Sequence, residues 1–525
     1  MNRLLALLCL TFLSVAATAA DQPNIIFILC DDLGTGDVKC LNPEGKIATP
    51  HMDRLAKEGM TFTDAHSGSS VCTPTRYGIM TGRYAWRTKL QSGVLGGLSP
   101  RLIEQDRLTV ASMLKAQGYS THCVGKWHLG MDWQRTGEVS ALNIETPEQV
   151  KNVDYAKPIT NGPTSVGFDT YFGISASLDM VPYCFIENDH VQANPTETMK
   201  LEMNAAGDKK SFTREGPGSP GFRGEDVLPT LTQHATKLIQ EKAAAAKKGE
   251  PFFLYLPLNS PHTPILPSQE WQGKSGISLY ADFVMQTDDT IGQIMRATEE
   301  SGIAKDTLII VTSDNGCSPS ADYPKLATFG HNPSAIYRGH KADIFDGGHR
   351  VPFIVRWPAK VKADQKSAQL VCLTDFTATA ADILHVKLPD NAAEDSFSFL
   401  STLLGESGKT VRQSVIHHSI NGSFALREGA WKLELCAGSG GWSDPKPGSP
   451  GEQGLPDTQL YNLENDISEK TNLQSEKPDI VSKMTAQLEK IVTDGRSTKG
   501  MPQQNAVEVV VRKKSPTAKP KKKAK

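Results

Sequence analysis

Four strand-like runs in this sequence each lead into residues able to do chemistry. "NIIFILC" (24–30) runs into Asp31-Asp32, "YSTHCVG" (119–125) into Lys126 and His128, "PFFLYLPL" (251–258) into Asn259 and His262, and "TLIIVTS" (307–313) into Asp314-Asn315. In an open α/β sheet, ligands bind beyond the carboxyl ends of the strands. An acid pair after one strand is ordinarily a solvated turn or a helix cap; four such sets after four strands point to one shared edge. Asp31, Asp32, Asp314 and Asn315 offer only oxygen, three groups anionic and one neutral, which suits calcium or magnesium rather than zinc. A separate stretch, "SSVCTPTR" (69–76), sets Cys72 where a helix begins. Pro74 is tolerated in a first helical turn, which places residue 72 where unpaired N–H groups and the helix dipole favour anions.

The elements that must carry these groups alternate between strand and helix, as in an α/β architecture. "TPHMDRLAKEG" (49–59) reads as a helix stopped by glycine, "LTVASMLKAQG" (108–118) repeats the pattern, and longer helices are predicted near 228–247 and 279–301. After about residue 390 the texture changes. "QSVIHHSI" and "FALREGAWKLELC" predict antiparallel strands, the second turning near Glu428-Gly429, followed by a Gly, Ser and Pro-rich loop and an amphipathic helix over 477–492. The expected organisation is a signal peptide (1–20), a catalytic domain (21–390), a smaller α+β subdomain with an antiparallel sheet (391–500) and a basic disordered tail (501–525).

The N-terminus supports export: a basic Arg3, a short apolar run and small residues at Ala17, Ala19 and Ala20. No later run reaches about 18 apolar residues, so no transmembrane segment is expected. A periplasmic or secreted location favours calcium for the oxygen set. Eight of the nine cysteines follow the leader. Export argues for disulfides, but Cys30 and Cys123 lie in runs that read as buried strands, and with Cys72 set aside an odd number remains. The net charge of -2 hides eight basic residues in the last fourteen positions, without which the body carries -10. A mildly acidic body argues against a nucleic-acid binder, and the basic, Pro-containing tail reads as a solvated terminus.

The stretch Cys72-Thr73-Pro74-Thr75-Arg76 resembles the Cys-x-Pro-x-Arg maturation signature of the type I, formylglycine-dependent sulfatases of the alkaline-phosphatase-like superfamily. "MTGR" (80–83), "NIIFILCDDLG", "TPHMDRLA", "GYSTHCVGKWHLG", "FFLYLPLNSPHTP", "VTSDNG" and "RGHKADIFDGGHRVPFIVRWP" resemble that family's other blocks, in its order, over roughly 23–390. The resemblance implies a large domain with a mixed central sheet flanked by helices. It implies that Cys72 is oxidised to 3-oxoalanine (formylglycine) by a formylglycine-generating or anaerobic sulfatase-maturating enzyme. The hydrated aldehyde attacks sulfur with one hydroxyl, and loss of the other's proton expels sulfate. One calcium held by Asp31, Asp32, Asp314 and Asn315 is implied, with Arg76 and Lys126 orienting the diol and His128 as its base. The resemblance further implies that His262 and Lys341 hold the sulfate and assist the leaving oxygen. The sequence departs from the family at Thr73 (often serine), His51 (usually asparagine) and Asp346 (commonly glutamate), the last beside the Lys341 loop.

The resemblance implies a sulfuric ester hydrolase. The alternatives are a phosphonate or phosphate ester hydrolase of the same superfamily, or a non-catalytic binder of sulfated glycan. A sulfated carbohydrate is the expected substrate, because "GRYAWRTKL" (82–90) places Tyr84, Trp86, Arg87 and Lys89 after the nucleophile helix, Trp127 lies between two catalytic candidates, and Trp442 sits in the Gly-rich loop. Of these, Arg87 and Trp442 are the candidate substrate contacts, since cations meet anionic groups and aromatic faces stack on sugars.

Overall fold

The structure, a computed structural model, describes residues 22–137, 150, 152–201, 213–406, 408 and 410–512. The expected signal peptide and residues 513–525 lie outside the described residues. Five parallel strands form the centre of a ten-stranded mixed sheet, in the order Thr307–Ser313, Asn24–Cys30, Phe252–Pro257, Ser120–Lys126 and Thr170–Ile174. Short strands extend both sides, and Phe353–Arg356 runs antiparallel to Thr307–Ser313. Asn24–Cys30 is buried along its whole length, as its unbroken apolar run requires for a strand covered on both faces. Alternation assigns the faces: Phe27 and Phe253 meet Phe376 of the helix Phe376–Ile383 at 4.6 and 6.0 Å between ring centroids. The helices Val227–Ala246 and Leu279–Glu300 pack on each other. Because the central strands are parallel, all five carboxyl ends open on one edge.

The smaller sheet has four antiparallel strands, Ser414–His418, Phe424–Glu428, Trp431–Glu434 and Gln459–Asn462, covered by the helix Pro478–Thr493. Tyr84 and Trp86 belong to this core, with Phe424, Leu426, Leu433 and Leu488. The stretch after residue 390 first returns to the large domain, where Phe397 N–H and Phe399 N–H donate to Asp375 and Thr379. Residues 504–506, at the start of the expected tail, are bonded to the body. Gln504 O accepts from Arg83, Asn505 Oδ1 accepts from Arg87 at 2.9 Å, and Ala506 N–H donates to Arg87 O. All eight cysteines among the described residues are free, so none of them forms the disulfides that an exported chain would favour. Among the described residues no helix is long and apolar enough to cross a membrane.

The two sheets are joined by a buried polar cluster behind the Lys341 loop. Asp346 accepts from Arg350 at 2.8 and 3.0 Å and from Lys432 of the small sheet at 3.0 Å, and Lys432 also reaches Glu469 and the Ile344 carbonyl. This is how the shorter Asp346 is accommodated: Lys432 and Arg350 brace the loop from either side. His66, His349 and His417 lie beside it with ring nitrogens within 4.8 Å of one another. The His349 and His417 rings are stacked, 3.6 Å apart and 9° from parallel, so their in-plane lone pairs run side by side rather than converging as metal ligands would. Burial and Arg350 push His66 down to about 4. Burial holds His349 and His417 well below the ordinary histidine value, with neighbouring imidazole and Lys432 charge acting in the same sense.

These imidazoles are neutral when folded, whereas each gains a proton in the unfolded chain below about pH 6.5. The unfolded state therefore binds more protons, and stability is fully present above pH 6.5 and lost as pH falls toward the folded values. For His66 alone the shift corresponds to on the order of 3 kcal/mol. Thermal unfolding at constant ionic strength should show the midpoint falling by on the order of 5 °C between pH 7 and pH 5. A flat profile over that range would contradict the assignment.

Candidate active site

Register places the acids together. Cys30 pairs with Ser313, so Asp31-Asp32 and Asp314-Asn315 leave adjacent parallel strands side by side. Backbone bonds fix them there: Asp314 N–H donates to Cys30 O at 3.1 Å, and Asp31 N–H to Ser260 O at 2.9 Å. Asp32 takes a left-handed conformation (φ 66°), which aspartate tolerates better than most residues and which bends the chain back over the edge. Lys126 ends its strand one residue after Gly125, which has φ 141° and where a Cβ would lie 1.9 Å from the Pro257 carbonyl oxygen. Only glycine allows that approach, and it seats Lys126 beside Asp31.

The side chains form one buried network. Lys126 Nζ lies 2.6 Å from Asp31 Oδ2, Lys341 Nζ 2.8 Å from Asp32 Oδ2, and Asn315 Nδ2 2.7 Å from Asp32 Oδ1. Arg76 donates Nε and Nη2 to Asp314 at 3.0 and 2.8 Å and Nη1 to the Lys126 carbonyl at 2.8 Å, so it ties the end of the Lys126 strand to the candidate ligand Asp314. Burial raises the Asp31 carboxyl, but Lys126, His262 and Arg76 outweigh it and hold Asp31 far below the usual range. Asp314 is pushed up by burial and by the charge of Asp31. Asp31 Oδ1 and Asn315 Oδ1 are buried without a hydrogen-bond partner. Two orphaned oxygens, one on each strand, within an all-oxygen donor set fit a hard divalent cation.

Cys72 opens the helix Cys72–Thr81, with Val71 as its extended N-cap and Pro74 in the first turn, as the sequence predicts. It is 2% exposed, and its sulfur lies within 4.8 Å of candidate ligand atoms of Asp31, Asp32 and His262. His128 donates Nε2–H to Leu95 O at 2.7 Å, and Leu95 N–H donates to Thr73 Oγ1 beside residue 72. The other nitrogen, Nδ1, is buried and unpartnered. Burial, then Lys126 and Arg76, hold the His128 pKa well below 6.5, so this imidazole is a neutral base. His262 is the opposite case. Its Nδ1 contacts the Thr263 carbonyl, and Nε2 is left 3.6 Å from Asp32; burial and Lys341 lower its pKa, but Asp32 and Asp31 prevail and raise it. Burial opposes the charge on Lys341 as well, yet Asp32 outweighs it and raises that pKa. The Lys341 loop is tied to the nucleophile through Ala342 N–H to Ser70 O at 2.8 Å.

All ten predicted pocket residues therefore converge. A cleft of about 350 Å³ leads to them, and Cys72, His262, Lys341 and Trp442 line it. Trp442 is 40% exposed at its rim, on a loop anchored by Trp442 N–H to Asp343 at 2.7 Å. Arg87 is a correction: it is fully buried away from the cleft, bonded to both oxygens of Asp395 at 2.8 Å, and holds the end of the nucleophile helix against later chain. Trp86 and Trp127 are core residues, each 1% exposed. The sequence reading passed over Ser177, Asp179 and Arg214, which also line the cleft. The available signal was a fifth strand, Thr170–Ile174, with Ser175, Ser177 and Asp179 after its carboxyl end.

Residues 23–386 match the family model described as Sulfatase. The chain is 35% identical over 510 residues to an N-acetylgalactosamine-6-O-sulfatase of Bacteroides thetaiotaomicron, covering 90% of this chain and 94% of the relative. It is 31% identical over 435 residues to arylsulfatase A of Bos taurus, covering 81% and 76%. A solved structure from work on glycosaminoglycan metabolism by Bacteroides thetaiotaomicron superposes with a TM-score of 0.75 at 34% identity, covering 90% of this chain and 99% of the other.

Proposed function

This chain belongs to the sulfatase family, in the alkaline-phosphatase-like superfamily, and we propose that it is exported and desulfates a sulfated carbohydrate through formylglycine made from Cys72. The observation that carries the proposal is the placement of the Cys72 sulfur within 4.8 Å of Asp31, Asp32 and His262 at the start of a helix. A 6-O-sulfated N-acetylhexosamine is the first candidate substrate, on the strength of the relative named for that activity. Asp31, Asp32, Asp314 and Asn315 would hold one calcium ion, which supplies charge neutralisation at sulfate oxygens and lowers the pKa of a hydroxyl it meets. The hydrated aldehyde at residue 72 supplies the attacking hydroxyl and a second one beside it.

The remaining work falls to the chain's own side chains. Arg76 keeps Lys126 and Asp314 in place, and Lys126 and Lys341 present ammonium hydrogens to the sulfate. His262, whose pKa Asp32 and Asp31 raise, can pass a proton to the departing sugar oxygen. His128, neutral with a bare Nδ1, accepts the proton from the second hydroxyl at residue 72. The burial of every one of these groups excludes bulk water and strengthens their mutual charges.

Sulfate release measured by ion chromatography from N-acetylgalactosamine 6-sulfate, its 4-sulfate isomer and 4-nitrophenyl sulfate, with 4-nitrophenol release measured by absorbance from 4-nitrophenyl phenylphosphonate, tests the reading. The expected order places a sulfated sugar first, with kcat/KM for the phosphonate at least about 10²-fold lower. A preferred phosphonate would move the chain to the sister activity, and an aryl sulfate preferred over every sulfated sugar would remove the carbohydrate.

A further inference from the structure

We infer that Asp179, supported by Ser177, is the specificity-determining residue of the cleft: its free carboxylate oxygen accepts a hydrogen bond from a hydroxyl of the sulfated sugar ring. The inference rests on the carbohydrate reading above.

Asp179 lies in the loop that follows Thr170–Ile174, the outermost strand of the parallel set. That loop is locked to the catalytic one, since Trp127 N–H donates to Ile174 O and His128 N–H to Ser175 O, at 3.0 and 2.9 Å. One carboxylate oxygen of Asp179 is committed: Oδ2 accepts from Arg214 Nη1 at 3.2 Å. Arg214 is held in turn, with Nη1 and its backbone N–H both on the Asp179 carbonyl at 3.1 Å and its own carbonyl accepting from Tyr183. The other oxygen, Oδ1, is buried with no partner, and so are the hydroxyls of Ser177 and of Thr263 beside the catalytic His262. All three residues line the cleft that Cys72 closes at its base.

A buried acceptor left unpaired costs free energy, and native structures rarely contain one without a reason. Three in the wall of the cleft that Cys72 also lines are explained together by a ligand that donates hydrogen bonds. Sugar hydroxyls donate; aryl and steryl leaving groups have none to offer at that position. Met180, Val94 and Ile420 supply apolar wall, and the half-exposed Trp442 ring offers a face for a sugar at the rim. The carboxylate also selects against a second sulfate on the same side of the ring, because two anions would meet in a low-dielectric site.

The experiment compares wild type, Asp179→Ala and Ser177→Ala on N-acetylgalactosamine 6-sulfate, its 3-deoxy and 4-deoxy analogues, and 4-nitrophenyl sulfate. Asp179→Ala should lower kcat/KM for the parent sugar by about 10²- to 10³-fold and for the aryl sulfate by less than about 3-fold. Ser177→Ala should show the same selectivity with a loss of about 10-fold, and it carries the test if Asp179→Ala does not fold. In wild type one deoxy analogue should lose as much as the Asp179 variant does, and that variant should not distinguish it from the parent. Equal losses on sugar and aryl sulfate, or no loss on the sugar, overturn the inference while leaving the carbohydrate reading intact. Wild type that releases sulfate from no sugar overturns both, and needs no variant to show it.

Discussion

Cys72→Ala is expected to lower kcat by at least about 10⁴-fold, as removal of a covalent nucleophile does elsewhere, with the protein still folded. The side chain is small and sits at the first residue of its helix, so its loss costs about 1 kcal/mol, well within the stability of a domain this size. Cys72→Ser is the sharper variant. A serine hydroxyl can attack sulfur once but has no second hydroxyl to lose a proton to His128, so it should give at most a single turnover. The other thiols provide the internal control: burial pushes Cys30, Cys123 and Cys317 well above their usual pKa, and none is followed by the Pro and Arg of the Cys72 stretch. Mass spectrometry should find the aldehyde at residue 72 and thiols at the remaining positions. Protein made in a host lacking the maturating enzyme should fold and be largely inactive. Full activity with an unmodified thiol at residue 72 would overturn the proposal.

The readability of this site in the sequence depended on how each residue is positioned. Asp31, Asp32, Asp314 and Asn315 were legible because each follows an unbroken apolar run, and buried parallel strands deliver their ends to one edge. Lys341 has no such marker; it lies in a loop, and only the family resemblance identified it. Ser177 and Asp179 escaped because their strand is five residues long and the segment after it, "SASLDM", contains neither an acid pair nor a cation. Arg87 was misread for a different reason. Adjacency to the nucleophile helix says nothing about which way a side chain points, and its carboxylate partner, Asp395, lies 308 residues away. Within 501–512, backbone and amide bonds to Arg83 and Arg87 leave no pattern in the sequence, whereas Val509 and Val511, which pack on the small-sheet core, form a short alternation too brief to outweigh the basic residues that follow. The helices and the Glu428-Gly429 turn carried strong local signals and formed where expected.

Exhaustive chelation is expected to lower kcat/KM by at least about 10³-fold, the scale of losing an electrostatic stabiliser at the reacting centre, while the thermal midpoint falls by only a few degrees. The two effects separate because of how the acids are paired. Asp31, Asp32 and Asp314 face three side-chain cations, Lys126, Lys341 and Arg76, at 2.6 to 3.0 Å. Carboxylates so paired do not drive the strands apart, and a bound ion at a hundred times its Kd adds only about 2.7 kcal/mol. Activity depends on something else. Lys126 and Lys341 donate to the same carboxylates that would ligate the ion, so an ion on those oxygens competes for them and leaves the ammonium hydrogens for the sulfate. It also adds two positive charges to a site that must attract an anion. Calcium added back should restore turnover, magnesium less well because its octahedral demand suits an irregular oxygen set poorly, and zinc least. Full activity after chelation, or better restoration by zinc than by calcium, would remove the ion from Asp31, Asp32, Asp314 and Asn315.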